Sequence, residues 1–388
     1  MEIGAELIGD LGYLLIISAG VGIVAYLLRQ PLVLGFLVAG ILIGPFGPFS
    51  LIDDVSILHN FSDIAIVLLL FGVGLTFPIS QFRSIGKIGS VIAIIEVAVM
   101  LAIGFGVAQA FGWSIIDSMF LAAALSISST AIIVKVLEEM DVVQEPSSQL
   151  IIGILIIEDL IAAVLISMLH STILLDTFSL DNTLWLIAQI GMFIGLTALI
   201  GCLSIPKLFS FLSNFERYEF MILAALGLAF GLSYLSYSLG FSAATGAFLA
   251  GVILAGTRFS DDISTLIAPT REIFVAIFFV TIGALMDVQI ITQYWIPIVI
   301  ITIVTIIGKT VATYAGVRLF RLGSHNALGI GLSMAQLGEF SFIVLKVGQD
   351  MGAISAFLFP IVGTVVILTT FLAPFLIKKG TKMMVDIF

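Results

Sequence analysis

The sequence predicts an all-α polytopic membrane protein of about thirteen transmembrane helices. Composition, the spacing of apolar stretches and the placement of basic residues each lead there. Of 388 residues, 60% are hydrophobic and 10% charged, with a mean hydropathy of +1.26. Soluble globular chains carry about 25% charged residues. Stretches apolar enough to cross roughly 30 Å of hydrocarbon fall at 10–28, 32–49, 62–78, 87–110, 116–137, 148–170, 184–203, 217–237, 239–257, 270–287, 294–317, 325–347 and 353–377. Connections are short, so residues 1–388 read as one transmembrane unit with no soluble C-terminal regulatory domain.

Basic residues set the orientation. With the N-terminus outside, Arg29, Arg83, Lys87, Lys207, Arg217, Arg258, Arg271, Arg318 and Arg321 fall in inner loops, joined by Lys135, Lys378, Lys379 and Lys382. Outside there is Lys346, near a helix end, together with Asp53, Asp54, Asp117, Asp176 and Asp181. This asymmetry places the C-terminus in the cytoplasm of a multi-pass cell-membrane protein. The lone Cys202 has no disulfide partner within the chain, and the net charge of −10 does not by itself point to acidic partners. Glu2, Glu6 and Asp10 stand where a signal peptide would be basic.

The chain also resembles itself. "LGFLVAGILIGP" (34–45) pairs with "GAFLAGVILAG" (246–256), and "LLLFGVGLTF" (68–77) with "AIFFVTIGALMD" (276–287). "ALSISSTAIIVKVL" (124–137) pairs with "GLSMAQLGEFSFIVLKV" (331–347). The order is the same throughout, with offsets of roughly 205 to 212 residues. Six spans in 10–170, a linker span at 184–203 and six more in 217–377 would orient the halves oppositely, as in inverted-repeat secondary transporters.

Charges inside spans carry the chemistry, because one at the bilayer centre costs about 2.5–3.5 kcal/mol and usually marks an ion path. They are Glu96, Glu158, Asp159, Lys309 and Glu339. Neighbours on a helix point about 100° apart, so Glu158 and Asp159 can serve different environments. One carboxylate is expected to pair with Lys309, the deepest cation. The other is then a hard oxygen ligand for a monovalent cation or a proton. Glu96 is either a third member of that network or a satisfied buried acid.

Two further segments are unusual for helices. "SISSTAII" brings Ser126, Ser128, Ser129 and Thr130, and "MAQLGEF" brings Gln336, Gly338 and Glu339. Hydroxyls compete for backbone bonds and glycine loosens a helix. Both therefore suit discontinuous helices whose freed carbonyls coordinate ions. "GVGIVAYLL" and "GFGVAQAFG" lack the preceding strand of a nucleotide site. His59, His170 and His325 read as surface residues at loops or span ends. Nothing forms a hydrolase triad, a metal cluster or a nucleic-acid-binding patch. The sequence thus points to no enzyme, no cofactor and no nucleic-acid partner.

As a set, "GFLVAGILIGP", "LLLFGVGL", "ALSISSTAIIVKVL", "IIEDL", "FFVTIGALMD", Gly308–Lys309 and "AQLGEFSFIV" resemble the monovalent cation:proton antiporter-2 family. That family includes Kef-type and bacterial Na⁺/H⁺ antiporters. The resemblance implies an NhaA-like fold with inverted repeats and two crossing, discontinuous helices. It implies a transport core of 87–170 and 294–377, homodimerisation through the remaining spans, and an elevator-like movement. Asp159 matches the ion-binding aspartate, where H⁺ competes with Na⁺ or K⁺, and Lys309 matches the lysine that pairs with the preceding acid, here Glu158. Thr130 and Ser129 would complete the cation's shell, with Ser128, Gln336 and Glu339 supporting the crossover. Kef-type proteins often carry Gln-Asp at the pair, so Glu-Asp favours Na⁺/H⁺ exchange over K⁺/H⁺ and suggests a role in pH homeostasis. They also commonly carry a soluble nucleotide-binding domain; its absence suggests a short member, a shortened chain or a separate cytoplasmic regulatory subunit. Other classes remain to be weighed. A cation channel or leak pathway under a separate subunit would want a filter such as TVGYG. An organic-anion:sodium symporter on a related fold would want deep arginines, and neither feature is found.

Overall fold

A computed structural model describes residues 2–28, 30–52, 55–75, 82–143, 145–175, 180–215, 217–239, 241–338 and 340–384. Among them all regular structure is helical. The helices are α1 (Glu2–Leu27), α2 (Leu32–Ile43), α3 (Val55–Leu75), α4 (Phe82–Ala110), α5 (Ile115–Leu125), α6 (Thr130–Glu139), α7 (Pro146–Leu175) and α8 (Leu180–Ser213). They continue with α9 (Tyr218–Ser238), α10 (Ala243–Ala255), α11 (Ser260–Ala284), α12 (Val288–Gln293), α13 (Trp295–Leu319), α14 (Ser324–Ser333), α15 (Phe340–Asp350) and α16 (Leu358–Thr381).

Eight helices among the described residues are long and apolar enough to cross a membrane: α1, α4, α7, α8, α9, α11, α13 and α16. Shorter apolar helices lie at Leu32–Ile43, Asn60–Leu75, Ile115–Leu125 and Ala243–Ala255. The stretch 116–137 is two helices, α5 and α6, with 126–129 between them, and 325–347 is likewise divided into α14 and α15. Two expected limits move by ten residues: α8 runs on to Ser213, past 203, and α11 begins at Ser260, before the apolar stretch at 270. Asp261 and Asp262 occupy its first turn, where carboxylates complement the helix dipole. Arg29, Asp53, Asp54, Asp176 and Glu339 lie outside the described residues.

Local chemistry explains the first interruption. Ser114 starts α5 by accepting a hydrogen bond from Asp117 N at 3.0 Å. Ser126 ends it, its hydroxyl turning back to Ala123 O at 2.8 Å. Ser129 then opens α6 with a long 3.4 Å bond from Ile132 N. The hydroxyls thus take over backbone groups that a continuous helix would have used.

The chain packs as two units. One comprises Met1–Asp53, Phe82–Ala162 and Ile282–Phe388. Within it α4 packs on α5 and α13, α13 on α14 and α16, and α15 on α5. Ile92, Ile133, Ile154, Ile330 and Ile377 bring α4, α6, α7, α14 and α16 into one apolar core. The other unit comprises Asp54–Gln81 and Ala163–Thr281, with α10 packed on α3 and α9. There Gly74 and Gly251 let two backbones meet, since a Cβ on Gly251 would stand 2.2 Å from Phe71 O. Small residues permit such close packing where lipid removes the hydrophobic drive. In this unit His170 is buried, its ring 6.2 Å from that of Tyr237, and not a surface residue. The reason is that α7 continues to Leu175, past the expected end at 170. His325, by contrast, is exposed.

Candidate ion-binding site

Glu158 and Asp159 stand near the middle of the thirty-residue α7, which is uninterrupted there. Adjacent positions diverge around the helix, yet both side chains reach the gap between α5 and α6. Glu158 Oε2 accepts from the backbone N–H of Ser128 at 2.9 Å. Asp159 Oδ2 accepts from Thr130 Oγ1 at 3.0 Å. The interruption frees a backbone donor and a hydroxyl, and the two acids take one each. Both acids are buried, and Glu158 Oε1 has no hydrogen-bond partner among the described residues.

Lys309, on α13, is fully buried. Its ammonium lies 2.9 Å from Glu96 Oε1 on α4 and donates to Ser126 O at 3.4 Å. Glu96 Oε2 accepts from Thr313 Oγ1, one turn along α13, at 2.6 Å. This corrects the expected pairing of Lys309 with Glu158. Among the described residues the carboxylate in direct contact with the ammonium is Glu96. The physical reason is helix adjacency: α4 packs directly against α13, while Glu158 is turned to the Ser128 amide.

The second interruption meets the first. Gly338 N donates to Ile127 O at 3.0 Å, and Ser128 Oγ to Met334 O at 3.3 Å. Ser341 Oγ donates to Ala124 O at 2.6 Å, and Leu337 N to Thr369 Oγ1 at 3.3 Å. A Cβ at position 338 would lie 2.4 Å from Ser128 O, so this crossing requires glycine. Gln336 is buried in the same segment with neither amide atom hydrogen-bonded among the described residues. Of the residues singled out from sequence, the structure thus groups Ser128, Ser129, Thr130, Glu158, Asp159 and Lys309 around the first interruption, with Gln336 on the second. Glu339 lies outside the described residues.

Sequence reading missed Thr313 and the Ser126 carbonyl. A signal for Thr313 existed: it stands four residues after Lys309, on the same helical face. Two other charges behave unlike loop residues. Asp117 is buried, accepting from Ser355 N (2.7 Å), Ser355 Oγ (2.8 Å) and Ser114 Oγ (2.8 Å). Lys346 is buried on α15 and paired with Asp350 at 2.5 Å.

A buried carboxylate beside a hydroxyl is an oxygen donor set, which suits a hard cation or a proton. Membrane helices interrupted where buried acids converge define an ion transporter of the discontinuous-helix class. Residues 14–379 match the family of sodium/hydrogen exchanger transmembrane proteins, and the chain belongs to that family. It is 30% identical over 346 residues to YbaL of Escherichia coli (strain K12), covering 87% of this chain and 62% of that protein. The Na⁺/H⁺ antiporter of Enterococcus hirae is 27% identical over 377 residues, 96% of this chain and 98% of its own. The K⁺/H⁺ antiporter subunit KhtU of Bacillus subtilis (strain 168) is 28% identical over 384 residues, 97% of this chain and 94% of its own. In architecture the chain is similar to the sodium proton antiporter MjNhaP1 of Methanocaldococcus jannaschii, with a TM-score of 0.80 at 19% identity over 99% of both chains. These relatives are transporters and not enzymes, and their ions are cargo, not resident cofactors.

Proposed function

We propose that this protein exchanges a monovalent cation for protons, with Asp159 binding either the cation or a proton. The observation that carries the reading is the Asp159–Thr130 contact at the start of α6, where a buried carboxylate, a hydroxyl and an interrupted backbone converge. Competition for one carboxylate couples the two flows, because neither species can occupy it while the other does. Ser129 and backbone carbonyls of the interruption complete the cation's shell, and Ser128 and Gln336 support the crossing, with Glu339 in the same role. Family membership supports exchange as the activity.

In this reading Na⁺ is preferred to K⁺, because Glu158 keeps an acid where Kef-type chains often have glutamine; the potassium name of KhtU makes K⁺ the competing cargo. Thirteen crossings in two inverted repeats would put the termini on opposite sides of the cell membrane, and the basic residues favour an N-terminus outside and a C-terminus in the cytoplasm. Residues 87–170 and 294–377 move as an elevator-like core, and the remaining spans join two copies. The packing of α4, α5, α6 and α13–α16 in one unit supports a common carrier, though that unit also holds α1 and α2 and takes α7 only as far as Ala162. Purified protein in proteoliposomes with an imposed pH gradient tests the reading: Na⁺ and Li⁺ should dissipate the gradient more readily than K⁺, and Asp159→Asn should not respond. A gradient indifferent to all three cations would end the proposal.

A further inference from the structure

The seam between α4 and α13 is built around one ion pair. Gly316 packs on Ile92, where a Cβ would lie 3.2 Å from Ile92 Cγ2, and Gly308 packs on Met100, where a Cβ would lie 2.9 Å from its sulfur. Glu96 stands midway between Ile92 and Met100, one turn from each, facing Lys309 and Thr313 between the two glycines. The two small residues bring the backbones close enough for a glutamate to span the gap. Both its oxygens are then engaged along α13, Oε1 with the ammonium and Oε2 with Thr313. Glu96, Lys309 and Thr313 are each fully buried. Separating such a pair would strand a buried charge, so the clamp holds.

We infer that Glu96 is a positioning residue, which clamps the Lys309 ammonium beside the α5–α6 interruption so that Lys309 acts on the Asp159 site as a fixed charge. The ammonium sits against Ser126 O, at the negative C-terminal end of α5, and opposes that half-helix's dipole. A clamped lysine need not exchange partners with Glu158, which leaves Glu158 on the Ser128 amide. Without Glu96, the ammonium keeps no carboxylate in direct contact among the described residues, and its positive field falls on the cation site. Cation binding then weakens.

The inference rests on the Asp159 reading, so its test is read by cation binding as well as by transport. Purified protein is titrated with NaCl against choline chloride at one pH, following thermal stabilisation, and Na⁺-driven exchange is measured in parallel. Glu96→Gln should raise the half-saturating Na⁺ concentration by at least about threefold, the scale of coupling between neighbouring groups. Thr313→Val, which unclamps one oxygen, should give a smaller shift of the same sign, and Glu96→Asp should restore part of the affinity. In a Lys309→Gln background, Glu96→Gln should shift nothing, because a buried carboxyl without a counterion is already neutral. Unchanged half-saturation with only a lowered Tm or maximal rate would reduce Glu96 to a structural acid. An equal shift in the Lys309→Gln background would show that Glu96 acts directly and overturn the positioning role. Wild-type protein that binds Na⁺ but moves no protons would remove the antiport reading and leave this one standing.

Discussion

The two interrupted helices resemble one another in sequence but differ in what they touch. At α5–α6, Ser126, Ser128 and Thr130 engage a lysine, a glutamate and an aspartate on other helices. At α14–α15, Met334, Leu337 and Gly338 engage backbone and hydroxyl groups of α16 and of the first interruption. The first therefore holds charge and the second braces the first. The difference teaches that similar segments acquire different roles from their neighbours. Helix α7 presents acids to one interruption, whereas the described contacts of 334–338 are with neutral groups.

That contrast can be broken in graded ways. Asp159→Asn should have the largest effect, lowering exchange by at least about a hundredfold in proteoliposomes with Tm within a few degrees of wild type. Retained exchange would move the ion site elsewhere. Gly338→Val should come next, since its side chain must displace Ser128 O; overpacking of about 1–3 kcal/mol should lower Tm and cut exchange by more than about tenfold. A well-folded, fully active variant would mean that the brace is dispensable. Thr130→Val removes a hydrogen bond to a carboxylate, typically about 1.5–3 kcal/mol, and should raise the half-saturating cation concentration about tenfold while sparing maximal rate. Gln336→Leu should do least. Its amide has no hydrogen-bond partner among the described residues, so Gln336 supports the crossing by packing alone, which leucine keeps; stability should change by no more than about 1 kcal/mol, and cation affinity should stay within about twofold. A tenfold loss of affinity there would make the second interruption a ligand and erase the contrast.

Much of this was legible in the residues. The serines and Thr130 marked one interruption and Gln336–Gly338 the other, because hydroxyls and glycine weaken helical hydrogen bonding wherever they cluster. Glu158, Asp159 and Lys309 were recognisable by depth, since charge within an apolar run has few harmless explanations. The burial of His170 and Asp117 was less legible. Each lies near the edge of an apolar stretch, where hydropathy does not say which neighbour will cover the side chain.

What the sequence determined by itself is therefore the set of groups that must be satisfied: apolar spans, weakened helices and four acids with one lysine at depth. Only the tertiary structure decided who satisfies whom. Glu96 reaches Lys309 because Gly308 and Gly316 draw α4 onto α13, and Glu158 turns to Ser128 because the interruption leaves an amide unpaired. Depth in the bilayer follows from hydropathy along one helix, but partnership depends on rotation and contact between helices. Those are set by packing over the whole seam.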